Sequence, residues 1–217
     1  MKKTLLATAV AATIVSSYSQ AAVINLIDVG GVTGSAAEKG FQAAADYWGK
    51  MFTNDAVINL SVRFAALNPG VIGSTGSSKQ NFDVIEWVNG INATKSNSTI
   101  DQTAVLPTLV GGGIVGGLTA GADASGGNDN TVTASLDGRV SSEVLYANTS
   151  VVKAVGGTAT YDPSRNPNQF DGSMTFSSTF AFDFDPTNGI TSGTFDFLGV
   201  AIHEMGHALG FVSGVDF

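Results

Sequence analysis

The sequence predicts an α+β fold in which a mixed, twisted sheet with an antiparallel edge strand packs on an N-terminal helix and on a second helix near residue 203. Three observations predict it. A strand, a helix and a strand follow one another over residues 22–64, an alternating segment spans 173–185, and apolar residues recur at helical spacing from 195 to 210. The chain has 217 residues, a length typical of one domain, and we assign residues 22–217 to it.

Residues 1–21 are typical of a secretory signal peptide. Lys2 and Lys3 form a positive n-region, residues 5–15 form an apolar h-region, and Ser19-Gln20-Ala21 predicts cleavage after the alanine. The h-region is shorter than the roughly 20 apolar residues that cross a bilayer, and no later segment is a spanning one. We expect a secreted or extracytoplasmic protein, in the periplasm or at the cell surface, with no transmembrane segment after cleavage. An uncleaved signal anchor is the alternative.

Charge and composition exclude several classes of function. Removal of residues 1–21 takes away two lysines and no acidic residue, which leaves 8 basic and 18 acidic side chains and a net charge of −10. This balance argues against nucleic acid as a partner, because its binding depends on neutralisation of phosphates by Lys and Arg. The absence of cysteine excludes disulfides and cysteine-ligated zinc. A charged fraction of 13 % and 27 glycines are common among exported bacterial proteins.

The N-terminal part predicts a strand, a helix and a strand. Residues 22–29 and 57–64 alternate or concentrate apolar side chains as strands do. Between them, Ser35 and Glu38 have the spacing of a capping box, with Ser35 at N-cap. The following helix carries an apolar stripe made of Ala37, Phe41, Ala44, Trp48 and Met51. Short connections between these elements predict parallel pairing through a right-handed crossover.

The middle of the chain carries weaker patterns. Polar or glycine-rich composition predicts loops at 68–81, 95–103 and 111–130. Apolar content predicts a helix in preference to a strand at 82–88, a strand at 131–140 and a helix at 143–155.

Residues 173–185 give the clearest strand pattern. Their apolar face consists of Met174, Phe176, Phe180, Phe182 and Phe184, and polar residues occupy most of the other face. A turn follows at 185–189. Asp183 and Asp185 are candidate calcium ligands, although roles in the turn and in solvation are the favoured interpretation.

The segment 195–210 predicts a helix with both ends marked. Asp196 is a candidate N-cap residue, and Gly210 is placed to end the helix in a left-handed conformation. Apolar residues at three- and four-residue spacing predict one buried face, formed by Phe197 or Leu198, Ala201 or Ile202, Met205 and Leu209. The opposite face then carries the histidines towards a cleft.

The only two histidines of the chain lie four residues apart in His203-Glu204-Met205-Gly206-His207. On a helix such residues share a face, about 5–6 Å apart at Cβ, so both imidazoles can bind one Zn²⁺ at about 2.0–2.1 Å. Glu204 is turned by roughly 100° along the helix and is placed to act on a bound water as a general base. We assign His203 and His207 as metal ligands and Glu204 as the catalytic residue. The alternative is an amphipathic helix that carries two histidines by chance.

The order of elements and this motif resemble the zincin metallopeptidases. Residues 172–211 are similar to the metzincin branch, where the motif continues H-E-x-x-H-x-x-G, and residues 195–217 resemble exported bacterial metalloproteases associated with PEP-CTERM sorting tails. The resemblance implies a zincin-like N-terminal subdomain, a Zn²⁺ cofactor and a protein or peptide substrate. In metzincins the strand before the active-site helix is an edge strand that pairs with extended substrate, so residues 173–182 are expected to bind the substrate.

The chain departs from metzincins at the third zinc ligand. Metzincins place a His or Asp three residues after the glycine of the motif, and that position here is Ser213. Catalytic zinc usually takes three protein ligands and a water, so the third ligand is either Asp216 or a residue beyond Phe217. No methionine follows the motif, which excludes the methionine turn of metzincins. We expect a zincin-like domain that is truncated at its C-terminus.

The sequence therefore predicts a secreted zinc-dependent metalloendopeptidase. Zinc would lower the pKa of a bound water, and Glu204 would accept its proton as the water attacks the peptide carbonyl. The main alternative is an exported surface or adhesive protein with a vestigial or structural metal site, which the content of Gly, Ser, Thr and Asn suits. A metal-dependent hydrolase of a non-peptide bond is a third interpretation.

Overall fold

The computed structural model describes residues 22–122, 124–125 and 128–212. The signal segment 1–21, and Ser213 and Asp216 near the other end, lie outside the described residues. In chain order, the elements are β1 (Val23–Gly30), α1 (Ala37–Met51), β2 (Val57–Ala65), β3 (Gly73–Ser77), β4 (Lys79–Asp83), α2 (Val84–Thr94), α3 (Thr99–Thr103), β5 (Leu109–Val110), β6 (Gly113–Ala122), β7 (Asn128–Ser142), β8 (Val144–Asn148), α4 (Thr149–Ala154), β9 (Gly172–Ser177), β10 (Phe182–Asp183), β11 (Phe195–Asp196) and α5 (Phe197–Ala208).

The central sheet has four strands in the order β1-β2-β9-β3. Strands β1, β2 and β9 are parallel to one another, and β3 is antiparallel to β9. Helix α1 connects β1 to the parallel β2, as the short connections predict. The fold is therefore of mixed α+β class with a mixed sheet, and its antiparallel strand lies at an edge.

The edge strand is not the one that the sequence predicts. The alternating segment 173–185 divides into β9, which ends at Ser177, and the two-residue β10. β9 lies between β2 and β3 and has no free edge, so the prediction that residues 173–182 bind a substrate strand is wrong. The outer strands of the sheet are β1 and β3, and the antiparallel edge is β3, inside the predicted loop 68–81. Alternation shows that a strand has two different faces, but it does not show which strands flank it.

Other loop and helix predictions fail in the same region of the chain. Much of the predicted loop 111–130 is strand, because β6 pairs with β7 in an antiparallel ladder. The predicted helix 143–155 divides into β8, which pairs with β4, and the short α4. The predicted loop 95–103 ends in α3. Pairing with distant strands overrides weak local preference in the first two cases. In the third, a local cap starts α3, because the Ser98 side chain accepts from the Asp101 N–H. The strand predicted at 131–140 lies within β7, and most of the predicted helix 82–88 lies within α2.

Aromatic side chains fix α1 and α5 on one face of the sheet. Phe41 of α1, Phe176 of β9 and Phe197 of α5 are at most 1 % exposed. Their ring centroids lie 4.9 to 5.1 Å apart. Gly40 allows the close approach, because a Cβ at this position would lie 2.4 Å from the Phe197 ring. This packing sets the position of the first turn of α5 against the sheet.

Helix α1 begins later than the capping box predicts. Its N-cap residue is Ala36, whereas Ser35 accepts from the Ala37 N–H through Oγ at 3.2 Å. Glu38 accepts from the Gly34 N–H at 2.7 Å. The two side chains thus still satisfy backbone donors, but around a turn and not in the reciprocal pattern. The predicted stripe fails only at its end, where Met51 is 57 % exposed.

Among the helices within residues 22–212, none combines the length and hydropathy that a membrane-spanning helix requires.

Candidate metal centre

Helix α5 carries the predicted site and begins where the sequence predicts. Asp196 is the N-cap residue, but its side chain makes no capping hydrogen bond, which corrects the prediction of a carboxylate cap. The buried face consists of Phe197, Ala201, Met205 and Leu209. Burial of this apolar stripe, more than the cap, therefore holds the first turn in place.

The two histidine rings converge. The Nε2 atoms of His203 and His207 lie 3.0 Å apart, and the ring planes are nearly perpendicular at 87°. Two nitrogens on a tetrahedral zinc ion at the usual bond length lie about 3.3 Å apart. The pair is therefore within a few tenths of an ångström of a zinc-binding geometry. His203 is exposed and His207 is half-buried, so both rings are accessible to a solvent-borne ion.

A hydrogen bond determines the tautomer of His207. Its Nδ1 lies 2.7 Å from the carbonyl oxygen of Phe211. A carbonyl can only accept, so Nδ1 must carry the hydrogen and Nε2 of the neutral ring keeps its lone pair. That lone pair lies on the nitrogen that approaches His203. Histidines that bind metals usually donate their other N–H to such an acceptor, which orients the ring.

The turn after α5 places this carbonyl. Gly210 has a φ of +109°, a conformation that favours glycine. Its N–H donates to the carbonyl of His207 at 3.2 Å, and the Phe211 N–H donates to that of Gly206 at 3.0 Å. These two bonds form a Schellman motif, and the predicted glycine cap is confirmed. The same turn brings the Phe211 carbonyl onto the His207 ring.

Glu204 lies on the side of α5 that faces the sheet edge. Its side chain is about nine-tenths buried. The Thr75 hydroxyl lies 2.7 Å from Glu204 Oε2 and 3.0 Å from the Glu204 carbonyl oxygen. A Cβ at Gly73 would lie 3.0 Å from Glu204 Cγ and 3.1 Å from Oε1. Gly73 and Thr75 of β3 therefore form the wall against which the carboxylate packs.

Side chains from several other elements hold the backbone of α5. The Trp48 indole N–H donates to the Ile202 carbonyl at 2.9 Å. Ser150 donates to the Ala208 carbonyl at 2.7 Å. The His207 carbonyl lies 3.2 Å from Ser77 Oγ and 3.3 Å from Asn148 Nδ2, further donors outside the helix. His207 and Ala208 lie in the last turn of α5, whose carbonyls have no partners within the helix. Ile202 lies in the middle of the helix, and its bond to Trp48 ties α5 to α1. No motif in the sequence marks these donors, because each acts across a long chain separation.

The described residues bring no third candidate ligand to the two histidines. Within residues 22–122, 124–125 and 128–212, no group of three or more His, Cys, Asp or Glu could hold a metal ion. Asp216, the predicted ligand, lies outside that part of the chain. The two histidines and their hydrogen-bonded tautomer fit Zn²⁺ as part of a ligand set that another residue must complete.

The calcium candidates are engaged in a turn. Asp183 accepts from the N–H groups of Asp185 and Thr191, and Asp185 accepts from Thr187. Hydrogen bonding with Thr191 lowers the pKa of Asp183, and hydrogen bonding with Thr187 lowers the pKa of Asp185. These bonds agree with the favoured interpretation of a turn.

Searches of protein-family models, of curated proteins and of solved structures found no match for this chain.

Proposed function

We propose that this protein is a zinc-dependent endopeptidase and that residues 22–212 correspond to the upper, sheet-containing subdomain of a zincin. One observation carries the proposal: the Nε2 atoms of His203 and His207 lie 3.0 Å apart on an accessible helix face. The fold supports it, because a mixed sheet with an antiparallel edge strand packs on α1 and α5. Asp216 is the third ligand that we propose.

The residues of the chain have distinct roles in this reaction. His203 and His207 hold the ion, and the Phe211 carbonyl keeps the His207 ring oriented by accepting from Nδ1–H, which leaves the Nε2 lone pair of the neutral ring for the metal. When bound, zinc supplies a Lewis acid for the peptide carbonyl and makes water more acidic. Glu204 accepts a proton from the attacking water at a carboxylate oxygen and passes it to the leaving amine. Its burial shields this exchange from bulk solvent.

The free edge of β3 is where we expect substrate to bind. Ile72 and Ser78, on either side of β3, are hydrogen-bonded to the β9 side of the ladder. Ser177 N donates to the Ile72 carbonyl and Ser78 N donates to the Asp171 carbonyl, both at 2.9 Å. By the alternation of an antiparallel ladder, the N–H and C=O groups of Gly73, Thr75 and Ser77 point away from β9. An extended peptide could pair with them as a further strand. This edge replaces residues 173–182 as the proposed substrate-binding strand.

The location of the enzyme is proposed from the sequence of its first 21 residues. Residues 1–21 have the features of a secretory signal peptide, so we propose that the enzyme acts outside the cytoplasm, in the periplasm or beyond.

The decisive experiment compares metal binding with hydrolysis in three variants. Glu204→Gln should keep zinc and lose several orders of magnitude in turnover of a casein or peptide-library substrate. His203→Ala should lose zinc. Glu86→Gln, on the exposed surface of α2, is the matched control and should behave as the wild type. Zinc binding without hydrolysis in the wild type would favour the surface protein with a structural metal site, and activity in Glu204→Gln would remove that residue from its role.

A further inference from the structure

In strand β3, Thr75 contacts Glu204 through its side chain and contributes its backbone to the free edge of the sheet. The side chain of Thr75 faces α5 and contacts Glu204, as the 2.7 Å distance to Oε2 shows. The backbone N–H and C=O of the same residue point towards the free edge of the sheet. Among the described strands, none pairs with β3 on that side. A peptide bound at this edge would therefore hydrogen-bond the residue that holds Glu204.

The space around Glu204 allows little freedom. A Cβ at Gly73 would already lie 3.0 to 3.2 Å from three atoms of the Glu204 side chain. The carboxylate is thus confined on one side by the Gly73 backbone and held by the Thr75 hydroxyl. A shift of β3 relative to α5 would move both contacts together, because the two residues are neighbours on one face of the strand.

We propose that Thr75 is a positioning residue that holds Glu204 in its reactive position and couples this position to the occupation of the β3 edge by an extended peptide. The inference rests on the proposed function. Pairing with a peptide strand adds backbone hydrogen bonds to Thr75 and restrains β3, which in turn restrains Glu204. Part of the binding free energy of residues remote from the cleaved bond then contributes to turnover.

The main test replaces Thr75 with valine, which keeps the shape and strand preference and removes the hydroxyl. In the zinc-loaded protein, Thr75→Val should lower kcat by about 10- to 100-fold. KM should stay within about twofold, because the backbone edge is unchanged. Thr75→Ser should recover most of the rate. Ser74→Val is the matched control, since Ser74 is exposed on the other face of β3 and should keep wild-type kinetics.

Peptide length separates positioning from a general structural effect. In the wild type, a peptide long enough to span β3 should have a higher kcat than a short one with the same cleaved bond. In Thr75→Val this gain in kcat should disappear while the gain in affinity remains. If the gain in kcat persists in Thr75→Val, or if Thr75→Val and Ser74→Val have equal rates, the coupling does not exist.

A second measurement does not need zinc or activity. In the metal-free chain, Thr75→Val should lower the folding equilibrium constant about 5- to 10-fold. The loss should be smaller in a Glu204→Ala background, where the hydroxyl keeps only the backbone carbonyl of residue 204 as a partner. Equal effects in both backgrounds would show that Thr75 does not hold Glu204. If the zinc-loaded wild type does not hydrolyse peptides, the proposed function fails and the catalytic part of this inference fails with it. The folding measurement still decides the contact separately.

Discussion

Replacement of Gly210 by alanine tests whether the turn after α5 controls the metal site. Gly210 has a φ of +109°, beyond the left-handed region that residues other than glycine adopt most readily. An alanine there costs about 1–3 kcal/mol in backbone strain. Its Cβ would also lie 2.5 Å from Val151 Cγ2, an overlap that adds about 1 kcal/mol or more of repacking. We expect Gly210→Ala to destabilise the protein by about 2–4 kcal/mol in total.

The effect on zinc follows from the hydrogen bonds of the same turn. The Phe211 carbonyl contacts His207 Nδ1 at 2.7 Å only because the turn brings the chain back over the helix end. A turn that opens to relieve the strain moves this acceptor away from the ring. Loss of such a partner typically weakens metal binding by about 10- to 100-fold. Gly210→Ala should therefore show this loss in a competition titration against a chromophoric chelator.

Two further variants make the measurement specific. Gly189→Ala is the matched control, because Gly189 has a φ of +84° and a Cβ there would meet nothing within 4 Å. Urea unfolding should show strain alone in this control, with unchanged zinc affinity. Val151→Ala in the Gly210→Ala background should recover the part of the loss that comes from the overlap. Equal stability and equal zinc affinity in Gly210→Ala and Gly189→Ala would refute the reasoning.

Three further predictions concern Asp171, the partly buried Lys153 and Asp28. Asp171 is fully buried and accepts from Lys153 at 2.7 Å, so Asp171→Asn should cost about 3 kcal/mol in urea unfolding. The exposed Asp162→Asn should leave the urea midpoint nearly unchanged, because solvent screens its ion pair with Arg165. Burial lowers the pKa of Lys153, but the hydrogen bonds and charge of its partners outweigh it and raise that pKa above 10.5. The stability that the charged Lys153 contributes should be complete below pH 10.5 and be lost as the pH rises through the raised pKa. Lys153→Met should abolish this alkaline loss of stability in pH-dependent unfolding. Hydrogen bonding with the Thr33 N–H, chiefly, lowers the pKa of Asp28 from 3.8 to about 2. Its contribution should be present above pH 3.8 and lost as the pH falls towards 2, and an acid titration of Asp28→Asn should lack that loss.

Local patterns were sufficient for the elements whose causes lie within a few residues. The spacing of His203 and His207 and the glycine at 210 predict a helix, its end and the convergence of two rings. The same holds for β1, α1 and β2, where short connections leave few alternatives. The predicted N-cap hydrogen bonds of Asp196 and Ser35 were less accurate, since a side chain at the right position can still point elsewhere.

The edge strand shows where local patterns fail. Residues 73–77 read Gly-Ser-Thr-Gly-Ser, with no apolar alternation, and composition alone predicts a loop. They form a strand because β9, about a hundred residues later in the chain, offers a backbone ladder, and because small side chains let α5 approach. The alternation at 173–185 correctly predicts a strand over the first part of that segment. It carries no information on which strands lie beside this one.

The sequence by itself determined that a helix presents two imidazoles and a carboxylate at fixed angles, because the geometry of a helix is local and repeats every 3.6 residues. Tertiary structure alone decided what surrounds them. Thr75 and Glu204 are 129 positions apart, and Trp48 and Ile202 are 154 apart, so no spacing rule can predict their hydrogen bonds. These contacts exist because packing of α1 and α5 on one face of the sheet brings distant side chains within reach of the same helix.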